Sequence, residues 1–169
     1  MVASTAMVGS GVEWVLLCYR VPRQPSTPRI AVWRKLKRLG VAQIGDGVVA
    51  LPADARTVEQ LEWVAEDVEQ AGGTAMLWRA RADSPEQERV LAAQMTAARA
   101  AEYDQVCEHV ANALADGDPA ATAAVLRRVR AELRRVERRD FFPPPERDAA
   151  HAAVRELATR VGAADREPA

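Results

Sequence analysis

Apolar and polar positions follow two different periods along this chain, and the change of period divides it near Ser84. EWVLLCYRV, residues 13 to 21, sets Val15, Leu17, Tyr19 and Val21 on one side and Trp14, Leu16 and Cys18 on the other. That alternation predicts a strand apolar on both faces, so each side of its sheet requires a cover. PSTPRIAVWRKLKRLG then predicts a helix with Thr27 as N-cap and Pro28 at the first helical position, ending at Gly40. VAQI and VVALP, separated by Gly45, Asp46 and Gly47, predict an antiparallel hairpin. Thr57 and Gln60 suggest a capping box for a second helix that stops at Gly72 and Gly73, and TAMLWRARA supplies a last strand. The order β-α-β-β-α-β is that of an α+β ferredoxin-like sandwich, with both helices on one face of a four-stranded antiparallel sheet.

Beyond Ser84 the helical period takes over. A helix starting at Ser84, Pro85 and Gln87 carries Val90, Leu91, Met95, Tyr103, Val106, Val110 and Leu114 to a stop at Gly117. Asp118 and Pro119 restart it, with Val125, Val129, Leu133 and Val136 on one face. FFPPP breaks the pattern, its aromatic rings expected to dock into the core or across a helix junction, and a helix with Ala150, Val154, Leu157 and Val161 follows. The implied organisation is a flexible start over residues 1–12, a ferredoxin-like domain over 13–83, a helical extension over 84–163 packed on the sheet, and a frayed tail over 164–169.

Composition narrows the chemistry. With 49% hydrophobic and 28% charged residues in 169, the chain folds around a core. No apolar run approaches the roughly 20 residues that span a bilayer, and MVASTAMVGSG lacks the basic region of a secretory signal; a cytoplasmic protein without membrane contact is expected. Cys18 and Cys107 sit inside apolar patterns and read as buried free thiols. His109 and His151 have no ligand spacing, and no cofactor loop or paired catalytic group stands out, so neither a metal, a cofactor nor an enzyme is expected.

Charge is ordinary in total, at -1, but uneven in place. The first helix carries Arg29, Arg34, Lys35, Lys37 and Arg38 and no acid. A helical wheel buries Val32, Trp33, Leu36 and Leu39, fans Arg34, Lys35, Lys37 and Arg38 over the opposite side, and turns Arg29 inward. The second helix sets Val58, Leu61, Val64, Ala65 and Val68 toward the sheet and Glu59, Glu62, Glu66, Asp67 and Glu69 around the rest, so unlike charges meet along the shared edge. Trp63 points outward among these acids and calls for a cover, either the C-terminal helices or a second copy of the chain. A further row, Arg127, Arg130, Arg134 and Arg138, lines one face of a C-terminal helix. Basic rows of this kind contact nucleic-acid phosphates or are simply solvated. Arg29 either receives a tetrahedral oxyanion through charge-assisted hydrogen bonds or forms a buried pair with Glu13 or Asp46.

The ordered blocks W-V-L-L-C-Y-R-V-P, P-R-I-A-V-W-R-K-L-K-R-L-G, G-D-G-V-V-A-L-P, E-Q-L-E-W-V-A-E, G-G-T-A and R-D-F-F-P resemble the N-terminal region of the bacterial chromate-resistance ChrB family, over most of residues 13–160. The resemblance implies transcription regulation in a chromate stress response, by DNA binding, by sensing chromate or a similar oxyanion, or as a partner-binding module. Family members usually continue into a second domain, so a homodimer or a partner supplying that domain is a further expectation. The β-α-β-β layout is also distantly similar to that of small CRISPR nucleases, which place a metal-holding aspartate at the end of the first strand. Tyr19 and Arg20 stand there instead, which leaves Arg20 as one more candidate anion contact.

Overall fold

The structure, a computed structural model, describes residues 11–164. The flexible start and frayed tail expected of the sequence fall, over residues 1–10 and 165–169, outside the described residues. The chain divides into two compact units at Ala92 and Ala93, inside one long helix, and each unit is described by itself.

The first unit runs β1 (Glu13–Arg20), α1 (Ser26–Leu39), β2 (Ala42–Gly45), β3 (Val48–Pro52), α2 (Ala55–Gln70) and β4 (Thr74–Arg81), followed by the first turns of α3 (Pro85–Asp116). The strands form one antiparallel sheet in the order β2-β3-β1-β4, which is the ferredoxin-like arrangement read from the alternation of periods. β1 is central, pairing Val15 with Leu51 and Leu17 with Val49 on one side, and Leu17 with Leu77 on the other. Those inward residues meet Val32 and Leu36 of α1 and Leu61, Val64 and Val68 of α2 in the buried core.

Three expectations are corrected here. α1 starts two residues early, with Pro25 rather than Thr27 at the N-cap and no side-chain cap. The capping box of α2 lies three residues upstream of the expected one. Asp54 is the N-cap, accepting from the Thr57 N–H at 2.7 Å, while the Thr57 hydroxyl accepts from the Asp54 N–H at 2.9 Å; Thr57 is buried as a result. Finally, the second face of the sheet is only partly covered. Trp14 is buried and Leu16 and Cys18 are half-buried, but Met76 and Trp78 on the same face are 56% and 55% exposed.

The second unit packs the rest of α3 with α4 (Pro119–Glu137) and α5 (Glu146–Ala164). Tyr103, Val106 and Val110 of α3, Leu126, Val129, Leu133 and Val136 of α4, and Ala150, Val154 and Leu157 of α5 form one core. The punctuation is as the sequence implies. Ser84 accepts from the Gln87 N–H at the start of α3, Gly117 takes a left-handed φ of 69° at its end, and Asp118 caps α4 by accepting from the Ala120 N–H.

The R-D-F-F-P block joins α4 to α5 and is tied to α3 by polar contacts. Arg139 donates to Glu102 at 2.8 Å, Tyr103 donates its hydroxyl proton to Asp140 at 2.7 Å, and Thr96 donates to the Phe142 carbonyl at 3.1 Å. Phe141 and Phe142 are half-buried. Arg99, 5% exposed, donates to Glu102 and to the Arg139 carbonyl, while its Nε and the Oδ1 of Asp140 are buried without a hydrogen bond among the described residues. Burial lowers the Arg99 guanidinium from its ordinary value, and Glu102 opposes that shift. Burial, then the hydrogen bond to Asp140, pushes the Tyr103 phenol well above its ordinary value of 10.0.

Tyr103→Phe removes the hydrogen bond from the buried Tyr103 hydroxyl to the half-buried Asp140 carboxylate, an expected cost of about 1–3 kcal/mol and a fall in melting temperature of about 2–4 °C per kcal/mol. Because the folded-state pKa of Tyr103 is raised, its contribution is full below pH 10.0 and is lost as pH climbs from there toward the folded value. The parent should therefore lose stability above that pH more steeply than Tyr103→Phe. Melts by circular dichroism from neutral to strongly alkaline pH test both expectations, and parallel curves for the two proteins would contradict them.

Candidate functional site

β1 runs out at Tyr19 and Arg20, and the chain turns through residues 21–25 into α1. The hairpin between β2 and β3 comes back to the same point, where the Tyr19 N–H donates to the Gly47 carbonyl at 2.7 Å. Gly47 is glycine for two reasons. Its φ is 72°, and a Cβ there would lie 2.4 Å from the Tyr19 carbonyl oxygen. The register shifts between Gln43 and Gly45, so this is a bulged turn, with no non-glycine residue at positive φ. Between the end of β1, the first half of α1 and this hairpin lies an open cleft of about 810 Å³.

Arginine dominates the cleft. Arg20 and Arg23 come from the end of β1 and the loop after it, Arg29 and Arg34 from α1, and Asp46 of the hairpin is the only acid among the lining residues. No side chain of these four arginines has a hydrogen bond or ion pair with the described residues. Tyr19, Ile30 and Trp33 add apolar and aromatic walls, and Gln43 an amide. Burial pushes the Tyr19 phenol up, so it stays neutral and able to donate at ordinary pH.

Two placements differ from the wheel. Arg29 does occupy the inward angle of α1, but at the first turn inward is the cleft rather than the sheet, so the side chain is exposed and pairs with neither Glu13 nor Asp46. Trp33 belongs to no buried stripe. It is 54% exposed, with the Lys37 ammonium 5.2 Å from its ring centroid, because Val32 and Leu36 alone fill the narrow contact with the sheet.

The remaining cations of α1 divide. Lys35 forms an ion pair with Asp67 of α2, the expected attraction along the shared helix edge. Arg38 is exposed and also engaged, and it lines a smaller cleft of about 200 Å³ with Lys35, Gln60 and Trp63. Trp63 is 56% exposed, so the cover expected for it is not supplied within the described chain. Arg127, Arg130, Arg134 and Arg138 are all exposed along α4, with Arg138 Nε donating to the Arg134 carbonyl; this row belongs to the helical unit. Cys18 and Cys107 are free and half-buried. Among the described residues no three metal-ligating side chains gather, and no helix is long and apolar enough to cross a membrane.

Residues 29–117, from the first turn of α1 to the end of α3, match the family described as Protein ChrB, N-terminal. The chain belongs to the ChrB N-terminal family. A protein named Protein ChrB from Cupriavidus metallidurans is 29% identical over 133 residues, which cover 77% of this chain and 40% of that protein. The chain thus spans less than half the length of that relative. The family match takes in Arg29, Arg34, Lys35, Lys37 and Arg38 of α1, while Arg20, Arg23 and the α4 row lie outside it.

Arg23, Tyr19 and Gly47 are cleft residues that wheels and strand alternation pass over. The available signal was R-V-P-R at the end of β1, two arginines held near Arg29 by a short loop. Assembling them requires the strand order that brings the hairpin to β1.

Gly47→Ala forces both a left-handed φ on a β-carbon and a clash with backbone, an expected loss of about 1–3 kcal/mol. Gly45→Ala, where a Cβ meets nothing within 4 Å, should be nearly neutral. Thermal unfolding of the pair checks the hairpin's role, and equal losses at the two positions would contradict it.

Proposed function

We propose that this chain is a regulatory, non-enzymatic module of bacterial chromate resistance that acts in the cytoplasm by engaging nucleic acid through the cleft arginines and the outward cations of α1. The observation that carries the reading is the set of four arginines, Arg20, Arg23, Arg29 and Arg34, lining one cleft with no partner among the described residues. Cations in pairs, such as Lys35 with Asp67, contribute little to a partner's binding because their charge is already met. Unmet guanidiniums on one surface attract polyanions, and each phosphate they neutralise releases condensed counterions. Membership of the ChrB N-terminal family supports the chromate and regulatory parts of the reading. A second copy or a partner protein over Trp63 belongs to the same proposal.

A second reading, a chromate or similar oxyanion sensor without nucleic-acid binding, is favoured by the same convergence of guanidinium donors, since planar forks suit tetrahedral dianions.

Log affinity for duplex DNA should fall linearly with log salt, and Arg23→Gln, Arg29→Gln and Arg34→Gln together should make the slope shallower by about three if each meets one phosphate. All three residues are exposed, so folding should be kept. Fluorescence anisotropy across a salt series, with and without chromate, reads the outcome. Absence of DNA binding at low salt would sink the nucleic-acid reading, and absence of chromate binding in isothermal titration calorimetry would sink the sensor.

A further inference from the structure

The cleft is larger and more apolar than phosphate neutralisation alone requires. Sites that enclose whole small molecules run to about 300–1,000 Å³. A lone tetrahedral oxyanion fills only a few water-sized volumes of about 30 Å³ each. At about 810 Å³ this cleft has room for a nucleotide. Its walls also carry exposed apolar surface beside the cations, with Ile30 43% and Trp33 54% exposed. A hydrated dianion gains nothing from an indole, whereas an unstacked base does.

Trp33 lines the cleft, and Lys37, whose ammonium lies 5.2 Å from the Trp33 ring centroid, is not among the lining residues. Arg29 and Arg34 flank Trp33 along α1 on the cleft side. An aromatic plane framed by phosphate-seeking cations is the arrangement with which proteins hold single strands, and stacking of one base on such a plane is worth about five- to a hundred-fold in affinity.

We infer that the cleft takes an unstacked nucleotide of a single strand or splayed end, its phosphates on Arg20, Arg23, Arg29 and Arg34 and its base stacked on Trp33. This rests on the nucleic-acid reading above and narrows it from any polyanion to one with an available base.

The test uses the full chain, a labelled mixed-sequence single strand of about 12 nucleotides, and the matching duplex. Trp33→Ala, at an exposed position, should weaken single-strand binding about ten-fold and duplex binding much less, while Trp33→Phe, which keeps a π face, should retain most of the affinity. In a Trp63→Phe, Trp78→Phe background, which removes two exposed indoles and leaves buried Trp14, the strand should quench tryptophan emission, and adding Trp33→Phe should abolish that quenching. If Trp33→Ala binds single strand as tightly as the parent, or if the parent prefers duplex, stacking is overturned and the broader reading stands. A parent that binds neither probe at low salt overturns both.

Discussion

The central place of β1, paired along both edges and packed on one face by α1 and α2, is the constraint on which the rest of the first unit depends. β1 is the only strand with neighbours on both edges that also runs the full height of the core, pairing with β3 and β4 through Val15, Leu17 and their partners. Its inward row is sealed by α1 and α2, and each fully buried aliphatic side chain there contributes about 1.5–3 kcal/mol. Once β1 is central, its last residues must emerge beneath the first turn of α1, and β3, as its neighbour, must deliver the hairpin beside them. The cleft is therefore the place where the core stops. Its walls are the ends of elements whose positions the core has already decided, so the arginines on them are fixed at their backbones and free at their tips.

The helical unit is organised by a different interaction. Arg99, Glu102, Arg139, Asp140 and Tyr103 place charge inside a packed interface, which costs desolvation and returns it only through geometry. Such a network penalises alternative packings, because another register of the R-D-F-F-P block would cost Glu102 its Arg139 donor, Asp140 its Tyr103 donor and the buried Arg99 its Arg139 carbonyl. The resemblance that this block carries is thus structural in meaning. It holds the connection between α4 and α5 against α3 and contributes no residue to the cleft.

What the sequence disclosed and what it hid follow from the range of the physics involved. Alternation in EWVLLCYRV, the glycine stops at Gly40 and Gly117, and the caps at Ser84 and Asp118 are local signals, and the elements they predict are present. The caps of α1 and α2 fall two and three residues before Thr27 and Thr57, good capping residues both, because Pro25 and Asp54 stand nearer the points where the chain leaves its strands. Trp33 and Arg29 mislead a helical wheel for different reasons. A wheel gives the direction of a side chain but not what lies there: at Arg29 the cleft replaces the sheet, and at Trp33 the contact with the sheet is already filled by Val32 and Leu36. The cleft itself was invisible, since Arg20, Arg29 and Gly47 become neighbours only through strand order.

The uneven pairing of the basic residues now explains how a chain of net charge -1 presents a cationic surface. Lys35 is met by Asp67, Lys37 lies over an indole and Arg38 is engaged, while α2 keeps most of its acids on its own outward side. The four cleft arginines are left with Asp46 as the only acid in their lining. A cleft of about 810 Å³ spans a distance comparable with the Debye length of about 8–10 Å, so these charges act on one another and on a visitor together. Self-repulsion of that kind weakens the folded state slightly and is relieved by any bound anion, so occupancy of the cleft and stability of the first unit are linked. Strand order gathers these cations at the edge of the core, beside the one exposed indole on α1.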